Sequence, residues 1–127
     1  MENYFQPEIE CASREQIRAW QDERLVETVK HVYENVPYYR NLMEEKNVTP
    51  DDIKGVDDLH KLPFLTKDDL REAYPYGLLA EPLENCVRIQ STSGTTGRRV
   101  VAFYTQDDID LWDECNDPAS SGATGRR

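Results

Sequence analysis

The residues with the clearest potential for chemistry form one run of nine, "STSGTTGRR", from Ser91 to Arg99. Five of the nine carry a hydroxyl group, and Gly94 and Gly97 can adopt backbone conformations that other residues rarely adopt. Hydroxyl and backbone N–H donors in such a turn can form a concave nest for an anion. Polyphosphate suits this donor set because its many oxygens accept hydrogen bonds. The alternative interpretation is a flexible hairpin loop of small residues.

The charge around this run differs from that of the rest of the chain. The 127 residues carry a formal net charge of −10, yet no Asp or Glu lies between Cys86 and Gln106, where Arg88, Arg98 and Arg99 occur. An acidic chain argues against nucleic acid or an anionic membrane as the main partner, because both require a basic face. The local cationic segment fits a site for a small anion. A chance gap in the acidic residues would produce the same pattern.

Other residues that could do chemistry are scattered. Cys11, Cys86 and Cys115 are far apart, and His31 and His60 each stand alone, so no spacing indicates a zinc site or a catalytic pair. We therefore assign no catalytic and no metal-ligating residue. No apolar run approaches the roughly 20 residues needed to cross a bilayer. The first ten residues, "MENYFQPEIE", also lack the features of a signal peptide, so we expect a cytoplasmic protein.

Helices are expected before this run. Ser13 and Gln16 form a capping-box pattern, and apolar residues at helical spacing from Ile17 to Val36 predict a helix of about six turns that stops at Pro37. The segment "NVPYYRNLMEEKNV" predicts a shorter helix that buries Tyr39, Leu42 and Met43. Further short turns begin with hydroxyl or acidic residues: Thr49 with Asp52, Asp57 or Asp58, and Thr66 with Asp69. Short helices of this kind should pack onto a larger structure.

Two strands are expected on either side of the hydroxyl-rich run. "VRIQ" and parts of "RRVVAFYT" alternate apolar and polar residues and are rich in β-branched and aromatic side chains. Thr105 then caps a helix that begins with "QDDIDLWDEC". The predicted fold class is α/β: an amino-terminal helical region followed by a β-hairpin that belongs to an incomplete mixed sheet.

The order of residues in "TSGTTG" resembles the phosphate-binding loop of the AMP-forming adenylate synthetases, the acyl-coenzyme A ligase superfamily. The run is not a Walker loop, because no Gly-Lys-Ser/Thr follows the first glycine. Three segments, "VYENVPYYR", "LHKLPFLTKDDLREAYPYG" and "VRIQSTSGTTGRRVVAFYTQDDIDLW", resemble in the same order the amino-terminal part of phenylacetate-coenzyme A ligase. The resemblance spans roughly Leu25 to Glu114, and it implies part of the large domain of an adenylate-forming enzyme.

The resemblance implies a two-step ligation. A carboxylic acid attacks the α-phosphorus of ATP, with magnesium accompanying the nucleotide, and coenzyme A thiolate then displaces AMP. It further implies a role in aromatic acid catabolism and a complete enzyme that could form a homodimer. The ATP-binding residues carried over by the resemblance are Ser91, Thr92, Ser93, Gly94, Thr95, Thr96, Gly97 and Arg98. The Thr95 and Thr96 hydroxyls are the expected direct phosphate contacts, and none of the eight acts as a general acid or base.

Some positions depart from the family pattern. The superfamily commonly continues this loop with proline and lysine, where this chain has Arg99 and Val100. Arg98 stands where the phenylacetate branch often has lysine. Gln90 stands where that branch more usually has an aromatic residue or histidine, so the acid that is activated stays open.

The predicted domain division places the ligase-like part at residues 1–115 and an irregular tail at residues 116–127. The tail "NDPASSGATGRR" leaves the helical periodicity and contains Pro118, which suggests premature termination. Family members run to several hundred residues, so this chain alone is expected to be inactive. Two alternatives remain: a noncatalytic remnant that binds a nucleotide or phosphate, and a helical interaction module.

Overall fold

Helices occupy most of the chain, and a single hairpin interrupts them near the end. A computed structural model describes residues 4, 6–95 and 97–123. The α-helices are α1 (Pro7–Glu10), α2 (Arg14–Asn35), α3 (Pro37–Glu45), α4 (Lys67–Glu72) and α5 (Gln106–Ala123), and the strands are β1 (Cys86–Ser91) and β2 (Val101–Thr105). Short 3₁₀ helices span Pro50–Asp52, Val56–Lys61 and Leu83–Asn85. Within the described ranges, no helix combines the length and apolar character needed to span a membrane.

The long helix α2 forms where its capping pattern predicts. The Ser13 hydroxyl oxygen accepts a hydrogen bond from the Gln16 N–H at 3.1 Å, and the helix then runs for 22 residues. Pro37 lies in the first turn of α3, directly after α2. Proline is tolerated there because the N–H groups of a first turn have no partner within the helix, so no helical hydrogen bond is lost. Both helices predicted from the sequence are therefore confirmed.

The hydrophobic core lies between α2, α3 and the turn that follows α3. Its buried members are Val29, Met43, Val48 and Ile53, of which Met43 is fully inaccessible. Tyr39 packs against this cluster half-buried and donates its hydroxyl hydrogen to the Pro63 carbonyl at 2.9 Å. Met43 is thus buried as predicted, whereas Tyr39 and Leu42 are only partly covered.

Three further turns begin with a threonine that hydrogen-bonds to an aspartate three residues later. At α4 the Asp69 carboxylate accepts from the Thr66 N–H at 2.6 Å, and the Thr66 hydroxyl accepts from the Asp69 N–H at 3.3 Å. Thr105 and Asp108 repeat this exchange at the start of α5. At the turn after α3, the Asp52 carboxylate accepts from both the Thr49 N–H and the Thr49 hydroxyl. These caps satisfy backbone donors that a helix start leaves unpaired, as the sequence predicted.

The two strands pair antiparallel, with Ile89 opposite Phe103 and Ser91 opposite Val101. Directly opposite residues share a face of a sheet, so these four side chains lie together. Tyr104 points to the other face, where its ring lies 5.7 Å from the ring of Trp112 on α5. The predicted helical region followed by a hairpin is confirmed. In the described part of the chain, the sheet has these two strands alone.

The predicted irregular tail from residue 116 is wrong for its first eight residues. The backbone of α5 stays helical through Pro118 to Ala123. An internal proline removes one backbone donor and costs about 3 kcal/mol, but the remaining residues can keep helical dihedrals on either side of it. Ala119 and Ala123 are strong helix formers and favour that outcome. The final residues of the predicted tail, 124–127, lie outside the described residues.

Candidate functional site

The hydroxyl-rich run forms the loop that joins β1 to β2. Ser91 is the last residue of β1, and Thr92 continues the pairing by donating its N–H to the Val100 carbonyl at 3.0 Å. The Thr92 hydroxyl oxygen in turn accepts from the Val100 N–H at 3.1 Å. These two bonds fix the base of the loop. The hydroxyl hydrogen of Thr92 is not used in them, so it can still donate to a ligand.

Both glycines of the loop adopt backbone conformations that L-residues with a side chain rarely adopt. Gly94 has φ +68° and Gly97 has φ +137°. The Gly97 N–H donates to the Gly94 carbonyl at 3.4 Å, which closes the turn. A Cβ added at Gly94 would lie 2.7 Å from Cγ of Arg99, whereas one added at Gly97 would meet nothing within 4 Å. At position 94 a residue with a side chain would therefore be strained in its backbone and would have to displace Arg99.

The fold brings seven of the eight predicted ligand-binding residues into this one loop and its flanking strand end. Thr96 lies outside the described residues. The side chains of Ser91, Thr92, Ser93 and Thr95 are exposed, so their hydroxyl groups are accessible to a ligand. The amides of Thr92 and Gly97 are already engaged inside the loop. An anion nest would consequently draw on the other amides and on the hydroxyl groups.

Positive charge near the loop is not neutralised by neighbouring acids. Arg98 and Arg99 are exposed, as is Arg88 on β1. The ion pairs between described residues involve other cationic groups, those of Arg18, His31, Lys61 and Arg71. Arg98 and Arg99, the two arginines of the loop, thus have no carboxylate partner among the described residues, so an anionic ligand could pair with their charge.

A groove of about 220 Å³ runs beside the loop. One wall is the segment from Tyr74 to Tyr76, and the other is the shared face of the hairpin. The Tyr76 and Phe103 ring centroids lie 5.6 Å apart across it, and Arg99 lines its end nearest the loop. Apart from Ser91 and Arg99, which belong to the hydroxyl-rich run, the sequence interpretation did not include the residues of this groove. The alternation in β2 placed Phe103 on one face, but only the fold shows that Tyr76 meets it.

A second, larger cavity of about 550 Å³ lies between α2, the segment after α4, and β2. The His31 imidazole Nε2 lies 3.0 Å from a Glu81 carboxylate oxygen at this cavity, and Asp108 also lines it.

His60 contacts the Asp57 carbonyl through Nδ1 at 2.8 Å. Both histidines therefore have local partners. Among the described residues, no group of three or more His, Cys, Asp or Glu side chains is arranged to hold a metal ion.

The clearest pKa shifts lie away from the loop, where they reflect the caps. The side-chain hydrogen bond from Thr66 is the main cause that lowers the pKa of Asp69 below its usual 3.8. The same carboxylate accepts from the Tyr38 hydroxyl at 2.8 Å and raises the pKa of Tyr38 to about 12. The Thr49 N–H likewise lowers the pKa of Asp52. These groups hold turns together, and we assign them no catalytic role.

Most of the chain is similar in sequence to curated enzymes. The chain is 46% identical over 110 residues to phenylacetate-coenzyme A ligase of Thermus thermophilus, 51% identical over 104 residues to that of Aromatoleum evansii, and 50% identical over 104 residues to that of Escherichia coli. These alignments cover 82–87% of the chain. The chain spans about a quarter of the length of each relative, 24–25%. No protein-family model matches the chain.

Solved structures with the same fold come from acyl-CoA ligases. A crystal structure of 2-hydroxyisobutyryl-CoA ligase with 2-HIB-AMP and CoA matches 84% of the chain with a TM-score of 0.75 at 25% identity. A second crystal structure of that ligase, in the postadenylation state, matches 90% of the chain with a TM-score of 0.76 at 22% identity. The chain covers 24% of each of these structures.

Proposed function

We propose that this chain, a relative of the phenylacetate-coenzyme A ligases that spans about a quarter of their length, forms the amino-terminal part of an AMP-forming acid–CoA ligase. Within it, the loop from Ser91 to Arg98 binds the phosphates of ATP. The observation that carries the proposal is the hairpin loop itself. It combines exposed hydroxyl groups, a glycine at φ +68° and arginines without carboxylate partners among the described residues.

The loop residues would act by holding charge in place. The Thr95 hydroxyl is exposed on the turn, and the Thr92 hydroxyl keeps its hydrogen free to donate. With the Arg98 guanidinium, they would hydrogen-bond to phosphate oxygens and offset their negative charge, which is the main need of nucleotidyl transfer. Thr96 is proposed as a further phosphate contact from its position in the motif. No step requires a proton to move through this loop.

Magnesium would enter this site with the nucleotide. The loop contains no carboxylate, and the described residues offer no acidic cluster that could hold the ion by itself. The loop therefore fits the phosphates but supplies no carboxylate to the metal. Mg²⁺ is commonly held through substrate phosphates and few protein carboxylates, so the loop's role is compatible with a metal-bound nucleotide.

Exposed apolar residues on β1 and before α4 support the proposal that this chain is part of a larger enzyme. Ile89 is 61% exposed and Val87 is 57% exposed, and both lie on β1. Phe64, before α4, is 91% exposed. Large apolar side chains on strands are normally covered by a partner. We propose that the rest of the ligase covers them, and that the hairpin joins the mixed sheet of its large domain.

The substrates follow from the relatives. We propose a small carboxylic acid of the phenylacetate type, ATP and coenzyme A as the substrates of the complete enzyme, acting in aromatic acid catabolism in the cytoplasm. The complete enzyme is further proposed to be a homodimer. The names of the curated relatives support the acid, and the solved ligase with 2-HIB-AMP and CoA supports an adenylate and a thiol acceptor.

A chimera would test this function directly. Residues 25–114 would replace the matching segment of the Escherichia coli phenylacetate-coenzyme A ligase, and phenylacetate-dependent ATP–pyrophosphate exchange would be measured. We expect exchange in the chimera and about a tenfold loss with Thr95→Ala, the cost of one hydrogen bond to a charged group. Thr28→Ala, which removes an exposed hydroxyl from α2, is the matched control and should leave exchange unchanged.

The outcomes separate the alternatives. A folded chimera that lacks exchange, or one in which Thr95→Ala and Thr28→Ala behave alike, would contradict the proposed role of the loop. A polypeptide of these 127 residues alone should give no exchange, because it spans only about a quarter of its relatives. Exchange by that polypeptide would show that the catalytic parts are already present in it.

A further inference from the structure

We propose that Arg99 is a second cationic ligand of the phosphate chain, and that Gly94 provides the space in which its side chain lies over the loop. This inference rests on the proposed function, because it assumes that the loop binds phosphate. Arg99 is outside the set of residues that the family resemblance assigns to the ligand.

The packing of Arg99 on Gly94 carries the inference. A Cβ built on Gly94 would lie 2.7 Å from Arg99 Cγ and 3.4 Å from Arg99 Nε. Cγ and Nε of Arg99 therefore lie beside the turn at Gly94. The Gly97 carbonyl oxygen lies 3.3 Å from the same built Cβ, so the space between Gly94, Gly97 and Arg99 is narrow. Any side chain at position 94 would displace the arginine.

The charge of Arg99 is available in this position. No ion pair between described residues involves Arg99, and its side chain is exposed. Arginine loses its proton only at very high pH and presents several N–H donors in a fixed plane, which suits two oxygens of one phosphate. A guanidinium that is already beside the turn needs less ordering when the anion arrives than one that extends into solvent.

Arg99 also connects the loop to the groove beside it. Its side chain lines the groove together with Ser91 and Val101, next to the aromatic pair of Tyr76 and Phe103. Arg99 therefore lies both beside the turn at Gly94 and at the end of the groove. By contrast, Arg88 lies along β1 opposite Tyr104 and does not line this groove. The two arginines of the same hairpin therefore form a matched pair for a test.

Binding of inorganic tripolyphosphate to the full 127-residue chain, measured by isothermal titration, tests the inference. This probe carries the charge of the phosphate chain without the nucleoside. We expect Arg99→Gln to weaken binding about tenfold and Arg88→Gln to change it less than twofold. Arg99→Lys keeps the charge and should recover part of the loss. Circular dichroism of each variant checks that the fold is retained.

A double substitution tests the role assigned to Gly94. If Gly94 acts partly by seating Arg99, Gly94→Ala should weaken binding less in the Arg99→Gln background than in the parent chain, because the two changes remove a shared contribution. Fully additive effects would overturn the seating role.

Three further outcomes of the tripolyphosphate titrations would contradict the proposed role of Arg99. Tripolyphosphate binding that is equal for the parent and Arg99→Gln chains would overturn the inference about Arg99 and leave the proposed phosphate loop standing. Equal losses for Arg88→Gln and Arg99→Gln would show that only long-range charge matters, which also overturns it. An absence of binding by the parent chain would contradict the phosphate loop itself, and the role of Arg99 with it.

Discussion

The helical region around α2 and α3 differs from the hairpin of β1 and β2 in how far its side chains are buried. The helical region has its own core, in which Met43 and Ile53 are almost inaccessible. No residue of the two strands reaches that degree of burial, and five of the six residues of β1 are exposed. The helical region is therefore stabilised by its own side chains, whereas the side chains of the hairpin stay exposed or partly exposed.

The hydrogen bonds show the same division. In the helical region, the hydroxyl groups of Thr49 and Thr66 are bonded to carboxylates of their own turns. In the hairpin loop, the Thr95 hydroxyl is exposed and has no partner among the described residues. Hydroxyl groups that are already bonded stabilise a turn, and hydroxyl groups left open can bind a ligand. This contrast leads to predictions in which stability and binding respond to different residues.

The largest expected effect is a core substitution in the helical region. Met43→Ala should lower the free energy of unfolding by about 2–5 kcal/mol, because it removes a fully buried side chain and leaves a cavity. Ile89→Ala, at an exposed position on β1, should change it by about 0.5 kcal/mol or less. Urea unfolding of the two variants measures both values. Equal losses would show that the hairpin shares the core and would end the distinction between the regions.

A smaller effect is expected from two matched threonine substitutions. Thr66→Ala should lower the free energy of unfolding by about 1 kcal/mol, since it removes the cap of α4. Thr95→Ala should leave stability within about 0.5 kcal/mol of the parent chain and should weaken MgATP binding instead. Thermal unfolding and titration of both variants measure the two quantities. The contrast fails if Thr66→Ala weakens binding as strongly as Thr95→Ala.

The smallest effect concerns the pH dependence of the hydrogen bond between Tyr38 and Asp69. The pKa of Asp69 is lowered in the folded chain, so its contribution is present above its ordinary pKa of 3.8 and is lost as pH falls through the folded value. The pKa of Tyr38 is raised from 10.0 to about 12, so its contribution is present below pH 10 and is lost as pH rises towards 12. Stability should therefore fall at both ends of the pH range.

Tyr38→Phe separates this pair from other groups. The variant should lose less stability than the parent chain between pH 10 and 12, because it lacks the raised hydroxyl pKa. Tyr33 and Tyr39 also have raised pKa values, mainly through burial, so part of the alkaline loss should remain. Denaturant midpoints across the pH range give the comparison. If Tyr38→Phe loses as much stability as the parent chain between pH 10 and 12, the Tyr38 hydroxyl does not titrate in this way.

Local sequence patterns predict the helical region well because its structure is determined by neighbouring residues. The caps at Ser13, Thr66 and Thr105 each need only a partner three residues away. The end of α2 follows from Pro37 in the same way. The short helix α1 was not predicted, although Pro7 in its first turn and the bond from the Gln6 N–H to the Glu10 carboxylate are also local signals.

The candidate site was predicted only in part because its parts come from distant positions. The glycines and hydroxyl groups of the loop could be identified from the order of residues in one segment. The groove beside it requires Tyr76 to meet Phe103, and the seat of Arg99 requires a residue five positions away to fold back on Gly94. Neither contact has a periodic pattern. The course of α5 through Pro118 was also missed, because a proline in sequence usually marks the end of a helix.

Amide NMR spectra of the ¹⁵N-labelled chain during a titration with MgATP would test the central claim most directly. The account predicts saturable shifts concentrated at residues 91–99, with the amides of the core around Met43 and Ile53 unchanged. It would be contradicted if the loop amides did not shift at saturating MgATP, or if the largest shifts lay in the core around Met43 and Ile53.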